Sequence, residues 1–307
     1  MQRGSPLVTV LLPTYNRAHL LPRAIRSVLN QTYPHFELII VDDGSTDDTP
    51  KVIKAFRDRR IRYIRHDENR GILAVRNTGL DAARGDCITK VDDDDELVPE
   101  ALEIAVNELR RLVPRGVHYV VFDVLDVERN RLSGAGPRRE RLLTFEDFLC
   151  ERVTGDYWGI ITRELIDGER FDEQLYGGEK IMWLKLRRKT ATYYKPMVLY
   201  RAHRSHGGAR MSALKRRLEN AHRVAMTEAQ YLEAYGDDLN KLCPRVLSRR
   251  LARLGFYQTL SGEINKGRET LRISLRTWFS LSALMLYLFA YLPCRQQLIR
   301  IYFELIH

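Results

Sequence analysis

The sequence predicts an α/β fold, a mainly parallel sheet flanked by helices, followed by an α-helical C-terminal region. Three observations carry this. Short apolar, β-branched runs alternate with segments of helical period through the first hundred residues. The runs tend to end in polar clusters. From Ala213 onward the pattern is helical, without strand-like alternation.

The first run, Leu7 to Leu12 (LVTVLL), is ended by Pro13 and fits a strand buried on both faces. His19 to Asn30 then places Leu20, Leu21, Ala24, Ile25, Val28 and Leu29 at helical spacing. A second strand, Phe36 to Val41, stops at Asp42-Asp43-Gly44-Ser45, and Thr46 and Asp47 suit the cap of a helix through Lys51 to Phe56. Ile61 to Arg65 reads as a third strand, Ala74 to Ala83 as a third helix, and Cys87 to Val91 as a fourth strand. That order is the signature of right-handed βαβ units, whose ligands bind beyond the carboxyl ends of the strands. Those ends carry Thr14-Tyr15-Asn16, Asp42-Asp43 and Asp92 to Asp95. Val117 to Asp126 is a further strand, followed by a hairpin or loop near Arg129 to Arg139; short helices and strands mix from Thr144 to about Met211.

Composition narrows the class. A chain of 307 residues with 44% hydrophobic and 29% charged residues can bury a sizeable core. The formal charge of +10 favours an anionic partner: nucleic acid, an acidic membrane surface or a nucleotide diphosphate. The basic excess concentrates after residue 213, where Lys and Arg outnumber acids roughly two to one. Cys87, Cys150, Cys243 and Cys294 show no paired spacing, so reduced thiols in a cytosolic setting are expected rather than a zinc site or disulfide framework. The N-terminus enters a strand directly and does not read as a signal peptide.

The strongest local signal is Asp92-Asp93-Asp94-Asp95 after the fourth strand. Adjacent carboxylates repel, and gathering them at a ligand edge is unfavourable unless a cation compensates. Oxygen-rich sites of this kind suit Mg²⁺ or Mn²⁺, which also grip phosphate oxygens. The plainer alternative is a solvated turn capping the helix near Val98-Pro99-Glu100. Asp42-Asp43-Gly44-Ser45 and Pro13-Thr14-Tyr15-Asn16-Arg17 could each be a structural turn alone; their shared edge gives them weight.

Together, VTVLLPTYNR, SVLNQTYPHFELIIVDDGSTDDT and NRGILAVRNTGLDAARGDCITKVDDDDELVPEALE resemble the inverting glycosyltransferases of family 2, which have the GT-A fold. The match is dense over about the first hundred residues and weaker over the next hundred. The resemblance implies a GT-A domain over 1–212, with a nucleotide-binding half to about 115 and an acceptor half from about 116. The helical region 213–307 follows it. It implies that Pro13, Thr14, Tyr15 and Asp43 hold the base and ribose, and that Arg76 approaches the base or diphosphate. Asp92 and Asp94 match the ends of the family's D-x-D motif. Asp92, with Asp93 beside it, would face the ribose or donor sugar, and Asp94 would ligate the metal. The family's catalytic base precedes a Trp by one helical turn, and alignment on Trp183 places Glu179 there. The family's acidic pair is absent and Glu stands for Asp; pairing of Glu179 with Lys180 or Lys185 is the alternative. His203, in Tyr200-Arg201-Ala202-His203, would contact metal or diphosphate, with His206 as its rival. Trp158 could stack on an acceptor sugar or simply pack in the core.

Trp278 to Leu292 is apolar and flanked by arginines, but shorter than the roughly 20 residues of a spanning helix. It suits a helix lying in an anionic membrane surface or one packed on its neighbours. Gln296 to Ile301 lacks the Trp of the family's processive enzymes, which favours addition of a single sugar. The expectation is therefore a metal-dependent inverting transferase using a nucleotide-sugar donor, a UDP-sugar first. Its acceptor would be a saccharide or lipid-linked saccharide of cell-surface polysaccharide or lipopolysaccharide synthesis. The enzyme would be cytoplasmic and peripheral to the membrane. A sugar nucleotidyltransferase would need a Gly-rich, Arg-containing loop after the first strand, and PTYNR is not one. A nucleic-acid-binding protein would need a basic stripe with stacking aromatics, so no nucleic-acid partner is expected. A dinucleotide oxidoreductase would need G-x-G-x-x-G after the first strand.

Overall fold

The computed structural model describes residues 4–204 and 214–291. The chain opens with β1 (Val8–Thr14), α1 (Leu21–Leu29), β2 (Phe36–Asp42), α2 (Thr49–Ala55), β3 (Ile61–Arg65), α3 (Ile72–Ala82) and β4 (Cys87–Lys90). β5 (Glu96–Leu97), α4 (Ala101–Leu112), β6 (Tyr119–Asp126), β7 (Arg131–Leu132), β8 (Arg141–Leu143), α5 (Phe145–Leu149), β9 (Tyr157–Thr162) and α6 (Arg163–Ile166) follow. The remainder comprises α7 (Glu179–Lys189), β10 (Thr192–Ala202), α8 (Leu214–Glu219), α9 (Ala221–Leu242), α10 (Pro244–Leu260), α11 (Ile264–Thr277) and α12 (Leu281–Phe289).

The strands form one mixed sheet in the order β3-β2-β1-β4-β9-β6-β10-β5, with β7 on β6 and β8 on β10. β3, β2, β1 and β4 are mutually parallel, as βαβ units require. β9 then enters antiparallel between β4 and β6, while β6 and β10 run parallel. β1 and β2 are buried along their whole length, which explains their continuous apolar text. α1 turns Leu21, Ala24, Ile25 and Val28 inward, and these pack with Val10, Leu12, Leu38, Ile40 and Leu102 in one core. Capping differs in detail from the sequence expectation. Thr46 caps nothing; Asp47 accepts from the Thr49 N–H at 2.9 Å, at the first residue of α2.

One buried carboxylate ties this sheet together. Glu37 on β2 accepts from Thr9 Oγ1 at 2.6 Å, from the Arg84 N–H at 2.6 Å and from Arg62 at 3.2 Å. Burial pushes its pKa up, but these donors outweigh that and leave it below the ordinary carboxylate value. A depressed folded-state pKa stabilises at pH above the unfolded value, and this stabilisation is lost as pH falls through the folded one. Glu37→Gln is expected to cost about 1–2 kcal/mol at neutral pH. Below pH 4.5 the loss should shrink, so melting curves of the two proteins converge in acid. A constant gap across that range would remove Glu37 from the acid response.

The chain divides into two compact units. One takes the residues up to Phe148, then Arg152–Glu173, then Met182 on through β10. The second takes Leu149–Glu151, Gln174–Ile181 and the helices from α8 onward. Within the second, Cys150 and Cys243 form a disulfide across 93 residues of sequence, correcting the expectation of reduced, unpaired thiols. The spacing concealed it because the pairing is made by folding, not by local pattern. Closing so long a loop is worth about 3–5 kcal/mol in a chain-entropy account. Cys87 is buried in β4 as a free thiol, and Cys294 lies outside the described residues. Beside the disulfide, Glu151 holds Lys180 at 3.0 Å and Arg250 at 2.9 Å, and Arg250 also meets Glu228 at 3.3 Å. Over its described residues, the stretch from Trp278 is not one apolar helix: α11 ends at Thr277, and Ser280 Oγ accepts from the Ala283 N–H at 3.2 Å to start α12.

Candidate active site

The carboxyl ends of β1, β2 and β4 carry the expected polar residues, and hydrogen bonds between their loops hold them together. Beyond β1, Asn16 adopts a left-handed conformation at φ 52°, and its Oδ1 accepts from the Thr46 N–H at 2.8 Å. Its own N–H donates to Ser45 Oγ at 2.9 Å, so the β1 and β2 loops are laced into one surface. Gly44 is required there: at φ +74° an added Cβ would stand 2.7 Å from the Glu68 carbonyl carbon. Pro13 lies within β1 opposite Val41, and Tyr15 stands exposed just beyond the strand.

Asp43 is buried and firmly held. It accepts from the Arg70 N–H at 2.9 Å and the Gly71 N–H at 2.8 Å, and meets His66 Nδ1 at 2.8 Å. His66 Nε2 in turn lies 2.9 Å from Thr78 Oγ1. Sequence reasoning missed His66, although it directly follows β3 at the same sheet edge.

The four consecutive aspartates separate into distinct environments. Asp93 Oδ2 accepts from Thr14 Oγ1 at 2.8 Å, tying the β4 end to β1. Asp95 accepts from Tyr200 Oη at 2.9 Å and from the His203 N–H at 2.8 Å, while the Asp92 N–H donates to the same tyrosine oxygen at 3.0 Å. Asp92 and Asp94 instead face basic side chains. Lys90 Nζ lies 2.9 Å from both Asp92 oxygens, and Arg17 is 3.9 Å from Asp94. Arg23 fixes the Asp94 backbone by donating to its carbonyl. None of the four caps α4, whose N-cap is Glu100, so the capping alternative fails.

Their electrostatics follow from placement. Burial pushes Asp93 up to about 7; Thr14 opposes this and the Asp94 charge adds to it. Burial, with the charges of Asp92 and Asp94, brings Asp95 to about 7 as well. Burial would also raise Asp92, but Lys90, Arg76 and Arg204 outweigh it and hold that carboxyl below its ordinary value. Arg76 therefore bears on Asp92 while its guanidinium sits 5.8 Å from the Phe171 ring centroid.

Among the described residues, no three His, Cys, Asp or Glu side chains converge to hold a metal by themselves. The donors present are nonetheless those a hard divalent cation takes: carboxylate oxygens, at an edge where like charges crowd. One or two carboxylates with substrate phosphates completing the shell is the usual arrangement for Mg²⁺. His203 stands with its ring 3.4 Å from Glu96 and 3.9 Å from Glu128, and its backbone serves Asp95. His206 lies outside the described residues.

Trp158 is a core residue, packed at 5.8 Å on Phe122 and donating its indole N–H to the Lys90 carbonyl at 3.0 Å. Trp183 packs edge-on against Phe171 at 5.7 Å. Glu179 opens α7 after a Gly177-Gly178 turn and belongs to the second unit. The two lysines that could have neutralised it on the helix surface have other carboxylates: Lys180 pairs with Glu151, and Lys185 with Glu169 at 2.6 Å.

Known proteins share both the sequence pattern and the fold. The family model described as Glycosyl transferase family 2 matches residues 9–166, half of the chain. A relative from Campylobacter jejuni subsp. jejuni, GalNAc(5)-diNAcBac-PP-undecaprenol beta-1,3-glucosyltransferase, is 33% identical over 207 residues. The match covers 65% of this chain and 66% of that relative, just under two thirds of its length. The crystal structure of Staphylococcus aureus TarS 1–349 in complex with UDP-GlcNAc superposes with a TM-score of 0.64 at 19% identity. It covers 88% of this chain and 81% of that one. Mannosyltransferase PcManGT from Pyrobaculum calidifontis, in complex with GDP-Man and Mn²⁺, gives 0.55 at 19% identity, covering 98% and 84%. At such identities the likeness is one of fold, and the fold is GT-A.

Proposed function

The chain belongs to glycosyl transferase family 2, and from that premise we propose that it transfers a single sugar, with inversion, from a nucleoside-diphosphate donor to an acceptor hydroxyl. A UDP-sugar is the favoured donor and a lipid-linked saccharide of cell-surface polysaccharide synthesis the favoured acceptor. The observation that carries this is the lacing of Thr14, Asp43 and Asp92 to Asp94 onto one edge of the sheet. The TarS complex with UDP-GlcNAc and the undecaprenol-linked substrate in the C. jejuni name support the choice of donor and acceptor class.

In this reading Pro13, Thr14, Tyr15 and Asp43 receive the nucleoside, with Asp43 held in place by the Arg70 and Gly71 amides. Asp94, with His203 at the rim, would hold Mn²⁺ or Mg²⁺, and Asp92 and Asp93 beside it would face the ribose or donor sugar. A bound divalent cation supplies charge neutralisation to the departing nucleoside diphosphate. Arg76 adds positive charge on the same side. Glu179 takes the proton from the acceptor hydroxyl as its oxygen attacks the anomeric carbon from the face opposite the leaving group. The carbon–oxygen bond to the diphosphate breaks as the new glycosidic bond forms.

The test is turnover of a panel of UDP-, GDP- and dTDP-sugars with Mn²⁺, with Mg²⁺ and with a chelator. One donor should be hydrolysed or transferred at a rate that falls at least about a hundredfold on chelation. Metal-independent turnover would remove the cation from the reading; turnover of none of the panel would remove the donor class.

A further inference from the structure

The second unit carries an apolar face that its own packing leaves uncovered. α12 buries Ala283, Leu286 and Ala290 against Phe256, Tyr257 and Leu271. Its opposite side and the turn before it present Trp278, Phe279, Leu281, Met285 and Leu288, with Phe279 and Leu281 exposed to 63% and 72%. Leu281, Met285 and Leu288 follow one another at helical spacing, so the exposed side chains form a continuous stripe and not scattered apolar surface. A Trp and a Phe at its edge are the side chains that favour the boundary between water and lipid. Just before this stripe in the chain, the exposed residues of α11 include Arg272, Ile273 and Arg276, with Arg272 held to Glu269 at 2.6 Å.

We propose that this face of α11 and α12 docks the protein onto an anionic lipid bilayer, with α12 lying in the plane of the surface. Length fixes the orientation. α12 has 9 residues, and no helix among the described residues is long and apolar enough to cross a membrane. A helix lying flat in that plane buries its exposed apolar side roughly 5–10 Å into the headgroup boundary. Charge fixes the partner: Arg272 and Arg276 flank the stripe, and basic residues exceed acids roughly two to one beyond residue 213. Basic residues near a surface of anionic lipid add an attraction that salt screens. The inference deepens the reading of a lipid-linked acceptor, because docking would hold the enzyme at the surface that presents it.

Flotation of the full-length chain with vesicles tests it without reference to catalysis. Phosphatidylcholine vesicles are compared with vesicles containing roughly one third phosphatidylglycerol, at about 0.1 M and about 0.5 M salt. Binding should be at least about tenfold stronger to the anionic vesicles, weaken in high salt, and bring a blue shift of tryptophan emission that Trp278→Phe removes. The double variant Leu281→Asp, Leu288→Asp should lose at least about tenfold in binding with an unchanged melting temperature, since both side chains are exposed. Equal binding by the double variant, or no binding by the wild type to either vesicle, would overturn the proposal. So would concentration-dependent dimerisation that the double variant abolishes. Donor turnover, followed separately, decides the reading of function and not this one.

Discussion

Asp94→Ala is expected to lower sugar transfer by about 10²–10³-fold, the scale of losing one group that stabilises developing charge in a transition state. Asp94 is one-fifth exposed and its ion pair with Arg17 is long, at 3.9 Å, so the pair contributes well under about 1 kcal/mol. The Arg23 bond uses the Asp94 backbone carbonyl and survives the substitution. Thr14→Val provides the contrast. It breaks the bond to Asp93 within the same loop and should raise the donor KM more than it lowers kcat. Rate against Mn²⁺ concentration separates the two, because only Asp94→Ala should shift the metal requirement upward. A variant with wild-type rate and wild-type metal dependence would mean that Asp94 is not the metal ligand.

Glu179→Gln is expected to lower kcat by about 10²–10⁴-fold while leaving the donor KM near its wild-type value, since a general base acts on the acceptor. Glu179→Asp should recover part of the rate. Lys180 and Lys185 are engaged with Glu151 and Glu169. If Glu179→Gln turns over normally, the base must be sought among other carboxylates of the chain.

The parallel half of the sheet was legible because its strands are buried on both faces. Such strands can only be written as apolar, β-branched runs, and Val8 to Leu12 and Phe36 to Val41 are that text. The site's location followed from the same pattern, since the polar residues that stop each strand necessarily fall at its carboxyl end. The insertion of β9 between β4 and β6 was not legible. Six residues of strand, Tyr157–Thr162, carry no mark of which neighbours they will pair with.

The sequence by itself determined the family, the sheet edge and the residue types gathered there, because these depend on local pattern and on order along the chain. Tertiary structure alone decided how four identical aspartates divide. Two are bound by Thr14 and Tyr200, and two face Lys90 and Arg17, from elements as much as 105 residues apart. It alone joined Cys150 to Cys243, placed His66 against Asp43 and left one side of α12 bare. The physical reason is common to all four. A side chain's role depends on donors, charges and neighbours supplied by distant segments, and only the closed chain brings those segments within hydrogen-bonding or van der Waals reach.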